Sequence, residues 1–315
     1  MTPTTLELAI VQTLAYADVF NFPMMADEIH HFLLGVSAKK VDVYTALNQP
    51  STWLNEHIRS AEVNGTLFYA LRIAVPDIFE QRQQRQKVSS ILWEKALYYG
   101  AWLGCLPFVR MVAITGALSV HNAAHLEDDL DYILVVQDGR VWLARLFAVA
   151  LVRFVRLRGV TLCPNYVLST EAMALDSSNL FLAHELTQMI PLFGYNFYEQ
   201  MRELNRWADT FLPNAQKPFY PTREYVPKRV LGMFKKLGEW VLKGALGDKL
   251  EAWEMRRKLK KLSVQSEDTD EVKLDSQQVK GHFMSYGRMT LERYQARLVK
   301  LGLMPEPREQ SSAAD

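Results

Sequence analysis

The sequence predicts an α+β protein in which a small mixed sheet lies between helical regions. Two short apolar runs rich in β-branched residues, Met111–Ile114 and Tyr132–Val136, are typical of buried strands. Stretches with apolar residues at helical spacing precede and follow these strands. A chain of 315 residues favours about two domains.

Composition fits a globular protein that works in a reducing compartment. Hydrophobic residues make up 49% and charged residues 23% of the chain, and the net charge of +1 gives no bulk attraction to nucleic acid. Cys105 and Cys163 form no metal-type cluster and are expected in the core. The apolar run 141–155 is broken by Arg145 and Arg153, and no signal peptide is apparent. We therefore expect a cytoplasmic protein.

The N-terminal segment, residues 1–75, has the element order of a winged helix-turn-helix. Apolar spacing predicts helices over Leu6–Val19, Met24–Leu34 and Lys39–Leu47. Glu62–Tyr69 contains Asn-Gly and predicts a β-hairpin. This pattern indicates a winged-helix-like domain.

Charge argues against duplex DNA as the partner of this segment. Residues 1–75 hold four Lys/Arg against seven Asp/Glu, a net charge of −3, which is unfavourable for phosphate contact. A packing or partner module is the alternative. Residues 76–104 are expected to form a helix that links this segment to the core.

The motif around which the chain is organised combines a glycine with paired carboxylates. Gly116 follows the first apolar strand, and eleven residues separate Gly116-Ala117 from Asp129-Leu130-Asp131. Because side chains alternate along a strand, Asp129 and Asp131 are expected on one face. Paired carboxylates are ligands for a hard cation such as Mg²⁺, and glycine lets the backbone approach a phosphate.

This pattern resembles the nucleotidyltransferase superfamily, which has the DNA polymerase beta-like fold. The matching residues are Gly116, Asp129 and Asp131, within a core over residues 105–215. In the family, a hydroxyl at the next position helps to hold the triphosphate, whereas this chain has Ala117. Ser119 would substitute only if the turn were shifted. The order of elements also resembles bacterial nucleotidyltransferase domain-containing proteins with a winged-helix-like N-terminal segment.

An ordinary hairpin with an exposed acidic turn is the alternative interpretation of the motif. Residues 127–129 are Glu-Asp-Asp, which suits such a turn. Asp131, however, directly precedes an apolar strand, where an unpaired charge would be costly.

Arginines on the helix predicted after the second strand are candidates for triphosphate binding. Gly139 and Arg140 lead into the helix Val141–Leu157. Either Arg140 or Arg145 would contact the phosphates, with Arg145 favoured because it interrupts an apolar run. A solvated basic face is the alternative.

The resemblance implies a third carboxylate on a later strand, as a metal ligand or as the base for an acceptor hydroxyl. The comparable position, in the strand predicted over Val160–Leu168, holds Asn165, which cannot take a proton. Glu185 or Glu171 would then replace it. His184-Glu185 lies on a predicted helix, and a surface pair is the alternative to a catalytic one.

The C-terminal region, residues 216–303, is predicted to be helical and is followed by a disordered tail over 304–315. Val226–Leu262 holds eleven Lys/Arg against four Asp/Glu with apolar residues at helical spacing. Such a basic amphipathic helix is suited to an anionic membrane surface or an RNA, or it packs on the core with a basic solvated face. Residues 263–278 are expected to be a flexible loop, and Val279–Leu303 a final helix.

Three functions follow from these patterns. The leading one is an enzyme that uses Mg²⁺ and a nucleoside triphosphate to transfer a nucleotidyl group to an acceptor that the sequence does not name. Asp129 and Asp131 would hold the metal, and the backbone at Gly116 would cradle the phosphates. The second is a catalytically degenerate scaffold, for which Ala117 and Asn165 argue. The third is a transcription regulator, which the acidic N-terminal segment disfavours.

Overall fold

The computed structural model describes residues 2–220, 229–262, 275–280 and 286–305. The chain is α+β, as the sequence predicts, with two β-sheets. No helix in these ranges is long and apolar enough to cross a membrane.

The N-terminal segment folds as helices around a three-stranded antiparallel sheet of order β1-β3-β2. A capping box starts its first helix, since the side chains of Thr4 and Glu7 each accept a hydrogen bond from the other's backbone N–H. The predicted hairpin is confirmed, and Asn64 and Gly65 have the positive φ angles of 52° and 76° that its tight turn requires. The elements are α1 (Thr5–Asp18), β1 (Met24–Met25), α2 (Ala26–His31), α3 (Lys40–Asn48), α4 (Thr52–His57), β2 (Ile58–Val63) and β3 (Thr66–Leu71).

One long helix, α5 (Ile78–Gly104), joins this segment to the second sheet. Near its start, Arg82 is fully buried and its Nη2 donates to Glu28 Oε1 of α2 at 2.7 Å. The guanidinium also lies 4.0 Å from the ring of Phe22. A buried ion pair therefore fixes the long helix to the N-terminal segment.

The second sheet has five strands in the order β7-β4-β5-β6-β8. Its central strands β4 and β5 are antiparallel, with Ile114 opposite Tyr132, whereas β5 and β6 are parallel and joined by a helical crossover. The elements are β4 (Val109–Ile114), α6 (Gly116–Ser119), β5 (Leu130–Val136), α7 (Val141–Arg156), β6 (Leu162–Ser169), α8 (Leu180–Gln188) and β7 (Ile190–Phe193).

The C-terminal region differs from the sequence prediction because it supplies an edge strand as well as helices. Residues 278–280 pair with β6, so the helix predicted over Val279–Leu303 is wrong at its start. Part of the loop expected over 263–278 and most of the expected tail lie outside the described residues. The elements are α9 (Tyr195–Leu204), α10 (Ala208–Phe211), α11 (Arg229–Leu242), α12 (Ala245–Leu262), β8 (Gln278–Lys280) and α13 (Tyr286–Lys300).

Alternation along β5 separates two hydrophobic cores. Leu130, Tyr132 and Leu134 pack with α5 and α7 on one face of the sheet. Ile133 and Val135 face the other way, towards α8, and join a core that continues into the N-terminal segment. The N-terminal segment is therefore packed against the sheet rather than held apart from it.

Candidate active site

The paired carboxylates lie where β5 begins. Asp131 is the second residue of the strand, and the exposed Asp129 comes immediately before it. By alternation, Asp131 shares the face of Ile133, which is the face turned towards α8. Both carboxylates also act on Cys163 of β6, whose pKa is raised to about 12 by burial and by these two negative charges. Asp129 and Asp131 therefore lie close to the same point on the sheet.

A short hydrogen-bonded chain holds Asp131 from the neighbouring strand. Asn165 Nδ2 donates to Asp131 Oδ1 at 2.8 Å, and Cys163 Sγ donates to Asn165 Oδ1 at 2.7 Å. Asn165 is the extra residue of a β-bulge, because Pro164 pairs with Tyr132 while the residue after Asn165 pairs with the residue after Tyr132. The bulge gives the amide a position beside the carboxylate, where the resemblance implies a third acid.

Burial and the nearby charges of Asp129 and Asp128 raise the pKa of Asp131 to about 7, although the Asn165 hydrogen bond acts to lower it. The carboxyl is thus close to its ionisation midpoint at neutral pH. A cation between Asp129 and Asp131 would relieve their repulsion and favour the ionised form.

The glycine of the motif is packed directly against this carboxylate. Gly116 has φ +65°, and a Cβ on it would lie 2.5 Å from Asp131 Oδ2. The neighbouring Thr115 N donates to Asp131 O at 3.1 Å, which fixes the turn to the start of β5. Only glycine satisfies both the backbone conformation and the close approach.

The two positions after Gly116 differ in their access to the site. Ala117 lines a cavity together with Gly116 and offers no side-chain hydroxyl. Ser119 is buried, and its Oγ donates to Gly116 O at 2.7 Å within the same turn. The expectation that Ser119 replaces the missing hydroxyl therefore finds no support in its position.

The two aspartates before β5 have different surroundings, because Asp128 is hydrogen-bonded within the loop and Asp129 is exposed. Asp128 Oδ2 accepts from the backbone N–H groups of Ala124 and His125 at 2.7 and 3.1 Å, and so closes the loop. Asp129 is exposed beyond it. Asp129 and Asp131 are consequently the carboxylates of this motif that are placed for a ligand.

A cavity of about 110 Å³ adjoins the Gly116 turn on the α8 face. Glu185 of α8 lines it, and the pKa of Tyr286 is raised by burial and by the charges of Glu185 and Asp131. Glu171, in contrast, follows the far end of β6, because the parallel partner of Asp131 is at the start of that strand. Glu185 is therefore the alternative acid that the fold brings near the motif. Aromatic side chains supply much of the wall: Tyr16, Phe20, Phe22, Phe32, Phe181 and Tyr286.

His184 is a core residue that also lines this cavity, so the surface pair considered for His184-Glu185 is wrong for the histidine. Its ring stacks on Tyr16, with centroids 3.9 Å apart and planes 6° from parallel. The Gln188 amide nitrogen lies 3.2 Å from His184 Nδ1. The other ring nitrogen, His184 Nε2, is buried and has no hydrogen-bond partner among the described residues. Burial lowers the pKa of His184 to about 3, so the ring is neutral at physiological pH.

The arginines expected at the triphosphate lie elsewhere. Arg145 projects from α7, which packs on the opposite face of the sheet, and the charge acting on it is that of Glu254. Arg140 is buried, and its Nη2 contacts Lys243 O and Asp248 Oδ1, both at 2.7 Å. Helical spacing predicted that these arginines lie on a helix, but it did not indicate which side of the sheet that helix covers.

The donor set fits a cation that needs few protein ligands. Among the described residues there is no group of three or more His, Cys, Asp or Glu that could hold a metal ion. Mg²⁺ usually binds through one or two carboxylates plus substrate phosphates and water. Asp129 and Asp131 meet that requirement in ligand type and number.

Two residues beside the motif were missed by the sequence analysis. Cys163 was assigned to the core, yet it is half-buried and hydrogen-bonded to Asn165. Pro164 was the available signal, because proline inside a strand marks an edge or a bulge. Tyr286 carried no signal, since it reaches the cavity from a helix remote in sequence.

Comparison with known proteins gives this chain no relative. No family model, curated protein or solved structure matches it. Membership of the nucleotidyltransferase superfamily therefore stays a prediction based on Gly116, Asp129 and Asp131.

Proposed function

We propose that this chain binds a nucleoside triphosphate with Mg²⁺ and transfers a nucleotidyl group to an acceptor hydroxyl. The observation that carries the proposal is the contact between the Gly116 turn and Asp131, where a Cβ would lie 2.5 Å from the carboxylate. At this contact, a glycine backbone that a phosphate could approach lies against a carboxylate that could bind a metal ion. The antiparallel β4–β5 pair followed by the parallel β6 supports a sheet of the nucleotidyltransferase type.

Each residue of the site has a role in this proposal. Asp129 and Asp131 would hold Mg²⁺, which supplies positive charge to the phosphates when bound. Asn165 positions Asp131 through the 2.8 Å hydrogen bond, and the backbone at Gly116 approaches the phosphates. The acceptor oxygen would form a bond to the α-phosphorus as pyrophosphate leaves, and Glu185 would take the acceptor proton.

A catalytically degenerate scaffold is the second candidate, and specific observations favour it. Asn165, at the position where the resemblance implies a third acid, donates a hydrogen bond to Asp131. Ala117 offers no hydroxyl, and the cavity beside it, about 110 Å³, is smaller than the roughly 300–1,000 Å³ of most ligand sites. In this alternative the fold is retained for binding or regulation.

We propose that the N-terminal segment is a winged-helix-like domain that packs beside the site and does not bind DNA. Its helices and its antiparallel β1-β3-β2 sheet, which contains the hairpin, support this proposal. Its core is continuous with the α8 face of the main sheet, and its net charge is −3. We keep the cytoplasm as the proposed compartment and propose that duplex DNA is not the partner of this segment.

Nucleotide binding with and without Mg²⁺, measured by isothermal titration calorimetry, tests the proposal. Wild type is expected to bind only when Mg²⁺ is present, and Asp131→Asn and Asp129→Asn to weaken binding at least about tenfold because carboxylate ligands are lost. Asp138→Asn is the matched control, since that exposed aspartate lies beyond the far end of β5. Binding that is independent of Mg²⁺, or equal in all variants, would refute the proposal.

Restoring the family pattern separates the two candidates. If wild type does not bind nucleotide but Ala117→Ser/Asn165→Asp does, the scaffold alternative is correct. If wild type binds and turns over nucleotide, Glu185→Gln keeps the shape of the side chain and removes the proton acceptor. A lowered kcat with unchanged nucleotide affinity would assign Glu185 as the base.

A further inference from the structure

Helix α11 turns an apolar face towards solvent. Five large apolar side chains, here termed the α11 stripe, project from one side of it and are 45–69% exposed: Met233, Phe234, Leu237, Trp240 and Val241. Positions 233, 237 and 240 follow helical spacing, and 234 and 241 widen the stripe by one residue. An apolar face of this kind normally packs on the core.

The orientation of α11 is fixed by polar contacts on its inner side. Lys235 Nζ donates to Gly104 O at 2.8 Å and to Val109 O at 2.6 Å. Glu239 Oε1 accepts from Phe108 N at 2.8 Å and pairs with the guanidinium of Arg110 at 2.7 Å. Rotating the helix to bury the α11 stripe would break these contacts, so the outward position of the stripe is built into the packing.

Basic side chains lie beside the α11 stripe and on the helix that follows it. On α11 itself, Lys236 and Lys243 are exposed beside it. The following helix, α12, exposes Trp253 and the basic side chains of Lys249, Arg256 and Lys260, while Arg257 pairs with Glu254 at 2.6 Å. The exposed surfaces of α11 and α12 therefore combine apolar and basic side chains.

We propose that α11 is a peripheral membrane-binding helix that lies on an anionic bilayer. Apolar side chains inserted at the headgroup boundary, with lysines and arginines at the lipid phosphates, match this surface in both hydropathy and charge. The exposed Trp240 and Trp253 suit the interfacial region, which tryptophan favours. This inference is independent of nucleotide chemistry.

Two other occupants fit less well. RNA binding depends on phosphate neutralisation and base stacking, to which Met233, Leu237 and Val241 contribute nothing. A second copy of the same face would bring two strongly basic surfaces together, and their repulsion opposes association. Both become outcomes of the experiment.

Co-sedimentation of the full chain with lipid vesicles tests the proposal. The chain is expected to bind phosphatidylcholine vesicles that contain phosphatidylglycerol. Without this anionic lipid, binding is expected to be at least about tenfold weaker, and added salt is expected to reduce it. Phe234→Ser/Leu237→Ser is expected to weaken binding at least about tenfold, because the inserted apolar surface is lost. Lys236→Glu/Lys243→Glu is expected to remove the preference for anionic lipid.

Leu157→Ser is the matched control, since Leu157 is 87% exposed after α7 and outside the α11 stripe. Unchanged thermal melting would establish that the variants fold. Absence of vesicle binding, or equal loss in the control, would overturn the proposal. So would RNA binding or dimerisation that depends on Phe234 and Leu237 while vesicles are not bound.

Discussion

Replacing Gly116 with alanine tests whether the motif turn is held against the carboxylate. Gly116 and Gly139 have nearly the same backbone angle, φ +65° and +68°. A Cβ at Gly139 meets nothing within 4 Å, whereas one at Gly116 lies 2.5 Å from Asp131 Oδ2 and 3.3 Å from its Cγ. Gly139→Ala therefore measures the backbone cost alone, and Gly116→Ala adds the contact.

The expected magnitudes differ enough to be resolved. Alanine in the left-handed region costs about 1–2 kcal/mol at either position. At Gly116 the carboxyl must also shift, which strains the 2.8 Å hydrogen bond from Asn165 and adds about 1–3 kcal/mol. We expect a loss of about 2–5 kcal/mol in the free energy of unfolding for Gly116→Ala and about 1–2 kcal/mol for Gly139→Ala.

Urea unfolding monitored by tryptophan fluorescence provides the measurement. Asp131→Ala should remove the additional penalty, so the cycle with Gly116→Ala should show a coupling of about 1–3 kcal/mol. Equal destabilisation of the two glycine variants, together with no coupling to Asp131, would refute the close packing of turn and carboxylate.

Three further predictions concern the cores beside the site. His184 has a pKa lowered to about 3, so as pH falls below 6.5 the unfolded state takes up a proton that the folded state refuses, and stability falls. His184→Phe, which keeps the stack on Tyr16, should reduce the loss of unfolding free energy between pH 7 and 5 by about 2 kcal/mol; parallel pH profiles would contradict this. Arg82→Met should cost about 3–5 kcal/mol in urea unfolding by leaving Glu28 charged and buried, and adding Glu28→Gln should recover part of it; additive losses would contradict the pairing. Tyr132→Phe removes a buried hydroxyl that donates to a backbone oxygen of α5 and should cost about 1 kcal/mol by thermal or urea unfolding, with no change contradicting the bond.

Local signals account for the part of the fold that could be predicted. The Asn64-Gly65 turn, the two motif strands and the long helix α5 follow from neighbouring residues. Strand β8 could not be predicted in the same way, because it is three residues long and becomes a strand only by pairing with β6, which lies more than a hundred residues earlier.

Within the site, spacing predicted the proximity of Asp129 and Asp131 but not their environment. The pKa of Asp131 is raised by burial, which depends on packing remote in sequence, and the Asn165 amide that opposes this shift is brought beside the carboxylate by a bulge. Arg145 was correctly predicted to lie on a helix, but the sequence did not indicate which face of the sheet that helix covers. Side-chain periodicity describes a helix and its neighbours, and it carries no information about the layer in which the helix packs.

The N-terminal segment contacts the loop beside the site and lines the adjoining cavity. Arg82 Nη1 donates to Val120 O at 3.3 Å, and Asn122 Nδ2 donates to Phe20 O at 3.1 Å, so the loop that follows the Gly116 turn is bonded to both α5 and the end of α1. The same segment supplies much of the aromatic wall of the cavity. Because the cavity is small for a nucleotide, accommodating a larger ligand would require these walls to separate, and the hydrogen bonds of Arg82 and Asn122 oppose that separation. The N-terminal segment is thus bonded to the loop that follows the Gly116 turn and forms part of the cavity beside that turn.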